Sequence, residues 1–443
     1  MATSRPNRKP QPPSSARPIV RRLYTLLLYL MLPFATLLVL ARGLRTREYW
    51  RGGWARFGFG ATRTGGGAWV HAVSVGEVQV AAILIQALRE REHTLEVTLT
   101  CATPTGRARA RALLPGVEVR YAPYDLPGCI RRCLARLRPR LLILIETELW
   151  PNLLHEADRT GLPVLIASAR ISERSSRLYR RLPSLMRGPL ERNVWVGAQT
   201  AADLERFAAM GVLPQRLTLV GNVKFDRILP ADIHERGAQW RDYYAAGRPV
   251  WVAGSTHPEE EAIVLEAHRQ LRAGQPRALL ILAPRHPARF TAAAAAIAAK
   301  GFQYARRSGA GSEGPPDVLL LDSIGELLEF YAACDVAFVG GSLVPVGGHN
   351  LLEPAALGVP VISGPEQFNS PDVARVLAAQ GGLITVHDAN ELAAALTSLI
   401  DDPDRRARKG DAARMAMDAH RGALAKLLRL TQSLLAKTSS PQR

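Results

Sequence analysis

The chain has 443 residues, 47% of them apolar and 22% charged, and its 57 Lys+Arg against 39 Asp+Glu give a net charge of +18. That much apolar side chain excludes a disordered or fibrous protein, because it can bury a core large enough to offset the entropy of ordering. The length fits two domains, and the basic excess bears on partners (nucleic acid, an anionic membrane, an acidic substrate) rather than on fold.

The charge is unevenly placed. Residues 1–63 hold 12 Lys+Arg and one acid, Glu48; residues 107–140 hold 9 Arg against Glu118 and Asp125; residues 170–192 hold 7 Arg against Glu173 and Glu191. These windows carry more positive charge than the whole chain, so the basic character belongs to the first half. Four cysteines, Cys101, Cys129, Cys133 and Cys334, show neither metal-ligand spacing nor a disulfide framework, and read as reduced thiols packing as small apolar groups.

Residues 1–18 are rich in Pro, Ser, Arg and Lys without an apolar period, which predicts a disordered basic tail. Leu23–Ala41 follows as 19 residues without a charge, close to the ~20 a helix needs to cross a bilayer core. Pro33 interrupts this run, and basic residues flank both ends (Arg17, Arg21 and Arg22; Arg42, Arg45, Arg47 and Arg51). The flanks therefore set no orientation. A single span, a kinked or re-entrant anchor and a buried core helix all remain open. Tyr49, Trp50, Trp54 and Phe57, interleaved with arginines, suit a headgroup interface, so residues 19–63 are read as anchor plus interfacial segment.

From Ala68 short apolar runs alternate with helical patterns: strands are predicted at 68–73, 95–100, 117–122, 141–146, 163–168, 194–198 and 217–220. Continuous apolar strands of this kind belong to a parallel sheet covered on both faces by crossover helices. A polar interval at 223–248 reads as a linker, after which strands are predicted at 250–254, 278–283, 317–321, 335–340, 359–362 and 382–386. The pattern predicts an α/β protein of GT-B type: an N-terminal Rossmann-like domain at 64–222, a C-terminal one at 249–402, and a helical tail at 403–443. In such open sheets the ligand lies outside the carboxyl ends of the strands, which puts the expected active site in a cleft that the two domains face.

Candidate residues stand at those strand ends. Glu77, after Ser74-Val75-Gly76, falls in the first turn of the next helix, either as a general base or as an acid complementing the helix dipole. Glu146 and Glu148 end the fourth strand, two apart, on one face if the chain is extended; capping of the helix from Pro151 would account for one of them. Ser255 or Thr256 is expected to cap a helix with Pro258 at its first position, a segment also able to bind phosphate through free amides. Arg285 and His286 follow the next strand, where an arginine is either solvated or a fork for phosphate or carboxylate. In 338–365, Gly340, Gly341, Gly347 and Gly348 permit close backbone approach, or form a plain tight turn. His349-Asn350 opens a helix whose amides can hold a phosphate, and Glu353 one turn on can accept from ribose hydroxyls. Combined, these features point to a nucleotide-sugar site. Asp402-Pro403-Asp404, the one DxD match, reads as a helix cap. No metal is expected, which leaves the departing phosphate to helix amides and basic side chains.

The motifs HAVSVGE, IETELWPN, SARISERS, GNVKFD, AGSTHPEE, APRHP and GGSLVPVGGHNLLEPAALGVPV occur in this order, and through them the sequence resembles the 3-deoxy-D-manno-octulosonic acid (Kdo) transferases of lipopolysaccharide inner-core assembly, from about residue 19 to 435. The resemblance implies an inverting, metal-independent GT-B enzyme without cofactor. Its donor would be CMP-Kdo and its acceptor a lipid A precursor (lipid IVA), at the anionic cytoplasmic face of the bacterial inner membrane. By the same resemblance Glu77 is the general base. Ser255, Thr256, Arg285, Gly347, Gly348, Asn350 and Glu353 fall on the donor side, and Glu148, Lys224 and His349 line the cleft without an assigned role. The sequence departs from the family at Leu351, where Pro is common, and at Glu366, where His is usual. The alternatives are a related GT-B enzyme using a UDP-sugar, transferase or 2-epimerase, and a basic nucleic-acid-binding protein. The last is disfavoured because no aromatic-interleaved basic motif appears beyond the membrane-proximal segment, so no nucleic acid partner is expected.

Overall fold

A computed structural model describes residues 17–62, 65–227, 229–309 and 314–439; the basic tail expected at 1–18 lies outside them except for its last two residues. The chain forms two compact units, Met1–Val223 with Gly422–Arg443, and Lys224–Arg421.

The first unit begins with a helix, Arg17–Arg45, that runs through Pro33, followed by single helical turns at Arg47–Tyr49 and Gly53–Phe57. Seven strands follow: β1 (Ala68–His71), β2 (Val97–Cys101), β3 (Glu118–Tyr121), β4 (Leu141–Ile145), β5 (Val164–Ala169), β6 (Val194–Ala198) and β7 (Leu217–Leu219). They lie in the order β3-β2-β1-β4-β5-β6-β7, all parallel. The apolar runs are continuous because both faces are covered: β1, β2, β4 and β5 are buried at every position. One face packs around Val70, Leu84, Ile143 and Leu165, the other around Trp69, Leu142, Leu153 and Phe207.

The second unit has β8 (Val250–Thr256), β9 (Leu279–Pro284), β10 (Tyr304–Arg306), β11 (Val318–Leu320), β12 (Val336–Val339), β13 (Val361–Ser363) and β14 (Leu383–Thr385). Their order, β10-β11-β9-β8-β12-β13-β14, again all parallel, is the same doubly wound arrangement. Two such units make the GT-B architecture. In each sheet the strand order reverses beside the first strand, between β1 and β4 and between β8 and β12. Glu77 follows β1, Glu146 and Glu148 follow β4, Ser255 and Thr256 end β8, and Gly347 to Glu353 follow β12, whereas Arg285 and His286 follow β9, next to β8.

Thirteen strands stand where apolar runs predict them; β10, at a sheet edge with half-buried Tyr304 and Arg306, has no such run to signal it. The interval 223–248 carries a helix, Ile233–Tyr244, belonging to the second unit: Trp240 stacks on Phe330 at 5.5 Å between ring centroids, and Arg241 pairs with Asp335 at 3.1 Å. The stretch from 403, read as one tail, divides. Pro403–Asp418 packs on the second unit, with Asp402 capping it through Arg405 N (2.8 Å), whereas Ala423–Ser439 buries Leu427 and Leu434 in the first.

Candidate active site

In the first unit, Glu77 is the third residue of the helix Val75–Arg91, directly beyond β1. Val73 N donates to its Oε2 at 2.7 Å and Ser74 Oγ to its Oε1 at 2.8 Å, so the carboxylate is held across the turn that launches the helix. It does serve the helix start, and it is also half-buried. Burial, reinforced by the charge of Glu148, pushes its carboxyl up to about 7, against the pull of those two hydrogen bonds. A carboxyl poised there can take a proton near neutral pH.

Glu148 is fixed from below. Trp150 Nε1 donates to its Oε2 at 2.7 Å, the His71 ring meets the Trp150 ring edge-on at 4.6 Å, and His71 Nδ1 lies 2.9 Å from Thr100 Oγ1, which accepts from Trp69 Nε1 at 2.8 Å. Burial drives His71 down to about 3, which keeps this relay neutral. Burial also raises the Glu148 carboxyl, with the Trp150 bond opposing.

The expected extended pairing of Glu146 and Glu148 is not found. Glu146 has φ 59°, in the left-handed region that side chains disfavour, and the chain turns there before Glu148. Neither acid caps the helix from Pro151. Asp125, after β3, does so: its carboxylate accepts from Asn152 N at 3.1 Å and Leu153 N at 2.8 Å. The capping residue comes from another loop, which no local motif could reveal.

In the second unit the strand β8 continues through Thr256, with Ser255 at φ 59°, so the helix Pro258–Gly274 is led by His257 rather than by either residue expected to cap it; Pro258 holds the first position. Glu260, fully buried, carries the glycine loop beyond β12. Its carboxylate accepts from Gly341 N (2.7 Å), Ser342 N (3.1 Å), Leu343 N (2.9 Å) and His257 N (3.3 Å). The second Glu of AGSTHPEE was the available signal.

His257, His286 and His349 converge here. The Nε2 atoms of His257 and His349 are 2.9 Å apart in parallel rings, and His286 stands edge-on to His257. Burial, then the positive charge of Arg285, holds His349 down at about 4, so the pair shares one proton as neutral imidazoles. Arg285 is exposed, and its guanidinium donates to none of the described residues. Thr256 Oγ1 is buried and likewise without a partner.

Gly347 (φ 102°) and Gly348 (φ 73°) both need glycine: an added Cβ would come within 2.4 Å of Phe368 or of Gln367 Oε1. The helix expected to open at His349-Asn350 is only Leu352–Ala356, and Asn350 Oδ1 accepts from Leu352 N at 3.1 Å. Leu351, in place of the family's Pro, is buried in the core. Glu353 ion-pairs with Arg227 at 2.8 Å, and Lys224 lies one turn before that arginine in Val223–Asp226. Among the described residues no group of three or more His, Cys, Asp and Glu side chains could hold a metal ion.

Two doubly wound units, one with a half-buried carboxyl beyond its first strand and one with a glycine loop, a histidine pair and an exposed arginine, give the frame of a GT-B glycosyltransferase. Residues 51–227 match the family described as 3-Deoxy-D-manno-octulosonic-acid transferase, and residues 257–416 the glycosyl transferases group 1. The 3-deoxy-D-manno-octulosonic acid transferase of Bordetella pertussis is 42% identical over 92% of this chain and 98% of its own length, and that of Haemophilus influenzae 38% identical over 83% and 87%. The UDP-GlcNAc 2-epimerase of Neisseria meningitidis, 14% identical with a TM-score of 0.54 over 84% of this chain and 99% of its own, shares the fold alone. The chain belongs to the 3-deoxy-D-manno-octulosonic acid transferase family and is a Kdo transferase.

Proposed function

We propose that the protein transfers Kdo from CMP-Kdo to a lipid A precursor (lipid IVA), with inversion and without a metal, at the cytoplasmic face of the bacterial inner membrane. The observation that carries the mechanism is the Glu77 carboxyl held near 7 at the end of β1. Each of its oxygens accepts one hydrogen bond and keeps a further lone pair, so the acceptor's primary sugar hydroxyl can give up its proton there. The new bond joins that hydroxyl oxygen to the anomeric carbon of Kdo as the anomeric C–O bond to phosphate breaks and CMP departs with the electron pair. Arg285, Thr256 and Asn350, with the glycine loop at Gly347 and Gly348, would hold the donor's phosphate or carboxylate. Cations, imidazoles and amides there can take up the developing charge. Lys224 and Glu353 are assigned to the donor side, Glu353 through ribose hydroxyls, and Glu148 to the tuning of Glu77.

The basic windows and the apolar N-terminal helix support a membrane-bound acceptor. The test is Glu77→Gln in membranes supplied with CMP-Kdo and tetraacylated lipid A precursor. Unchanged activity would remove Glu77 as base, and activity abolished by EDTA would remove the metal-free mechanism.

A further inference from the structure

The apolar helix is tied to the first unit at both ends. Near its start, Tyr24 Oη donates to Asp125 Oδ2 at 2.8 Å and Thr25 Oγ1 to Asn152 Oδ1 at 3.1 Å. Past its end the chain folds back. Trp50 Nε1 donates to Leu40 O at 3.2 Å, Tyr121 Oη to Glu48 O at 2.7 Å, and Arg107 Nη1 to Arg51 O at 2.6 Å. Arg132 Nε then holds Phe57 O at 2.8 Å.

The two ties meet the unit at Asp125 and Tyr121, positions that four residues of chain separate by at most about 14 Å. The helix between them, Tyr24 to Leu44, is about 30 Å long at 1.5 Å per residue, and it is unbroken at Pro33. A helix crossing a bilayer puts its ends on opposite faces of a hydrocarbon core about 30 Å thick. One polar edge of one α/β unit cannot reach both faces. Yet the other side of the helix is bare: Leu23, Leu26, Leu30, Phe34 and Leu37 are each more than half exposed. Toward the unit, Tyr24, Thr25, Leu28, Leu32, Ala35 and Val39 form a half-covered stripe at helical spacing. Trp54, in the turn Gly53–Phe57 beyond the helix, is 75% exposed.

We propose that Arg17–Arg45 lies in the plane of the membrane as a monotopic anchor, its bare leucines in the acyl boundary of one leaflet and its flanking arginines on anionic headgroups, and does not span the bilayer. The occupant of the bare face is lipid, because an apolar strip ending in aromatic and arginine-rich turns matches the layering of an anionic bilayer surface. The ties reach the loop after β3 and the helix start after β4, on the sheet edge that also carries Glu77, Glu146 and Glu148. The helix thereby brings that edge to the lipid surface, where a lipid-borne hydroxyl is available to the base.

The inference rests on the membrane association proposed above, and the experiment separates the two. The full chain carrying Thr3→Cys, a position outside the described residues, is expressed in cells of an organism with an inner membrane, and spheroplasts are treated with a membrane-impermeant maleimide. The introduced thiol is expected to react only after the membrane is opened; reaction in intact spheroplasts means a span and overturns the in-plane anchor. A nitroxide attached through Phe34→Cys, read by its relative accessibility to oxygen and a nickel chelate in anionic vesicles, is expected at interfacial depth; a midplane depth overturns the proposal as well. Failure to sediment with membranes at all defeats the membrane reading instead.

Discussion

The carboxylate of Glu260 holds the backbone of Gly341 at 2.7 Å, and through Ser342 and Leu343 it fixes the start of the whole loop from β12 to Asn350. A buried charge with four amide donors is stable only while all four remain, because each orphaned amide carries its own desolvation cost. Glu260→Ala is expected to destabilise the second unit by about 3 kcal/mol and to weaken CMP binding. Thermal melting with and without CMP reads both effects, and unchanged melting would show that the loop stands unaided.

As the proposed base, Glu77 is expected to set the acid limb of the pH profile. Its carboxyl is raised in the folded state, so the proton leaves only as pH rises through about 7, and kcat should climb across that value. For the same reason the charged form is disfavoured by folding, and stability should fall as pH rises from the ordinary carboxylate range toward 7. Glu77→Gln is expected to lower kcat by about 10²–10⁴-fold and to flatten both dependences; activity at pH 5 equal to that at pH 8 would contradict the assignment.

Burial is the largest cause of that elevation, and the charge of Glu148 the next. Glu148→Gln should therefore move the acid limb to lower pH while the protein stays folded. Thr100→Val, at the far end of the relay through His71 and Trp150, should move the same limb without touching substrate. A limb that stays in place in both variants would make the relay purely structural.

Gly348→Ala places a methyl group against Gln367 at a backbone angle that alanine disfavours. The strain is about 1–3 kcal/mol, and relieving it displaces the loop. The expected result is a raised donor KM with an unchanged acceptor KM, read by varying each substrate in turn.

Neutralising Arg174, Arg177, Arg180 and Arg181 on the exposed side of the helix Glu173–Arg181 should raise the acceptor KM more than the donor KM, most strongly at low salt. Equal effects on both would assign that charge to solubility.

Strand positions are legible because parallel sheets buried on both faces leave runs of apolar residues, and β10 escapes because a single buried alanine between two half-buried residues at an edge leaves none. Glu77 is legible from its place after β1, and Gly347 and Gly348 from their pairing. The long-range partners are not. Asp125 accepts from an amide 27 residues away, Glu260 from one 81 residues on, and the His257–His349 pair joins two loops. Such contacts depend on which strand ends become neighbours, and spacing along one sequence does not encode that. The turn at Glu146 is hidden for a related reason: its left-handed φ is imposed by the surrounding fold rather than by its side chain.

The return of Ala423–Ser439 to the first unit makes the second unit an insertion within the first. Leu427, Leu428, Leu434 and Leu435 complete the core around Val70 and Leu84, yet the ribosome reaches them only after the whole of the second unit. Until Lys224–Arg421 has been synthesised, the apolar patch awaiting that helix stays open to solvent and to chaperones. A chain released early, at residue 421, would carry a finished second unit on an unfinished first one, so quality control of this protein is written into the helix that closes the first unit last.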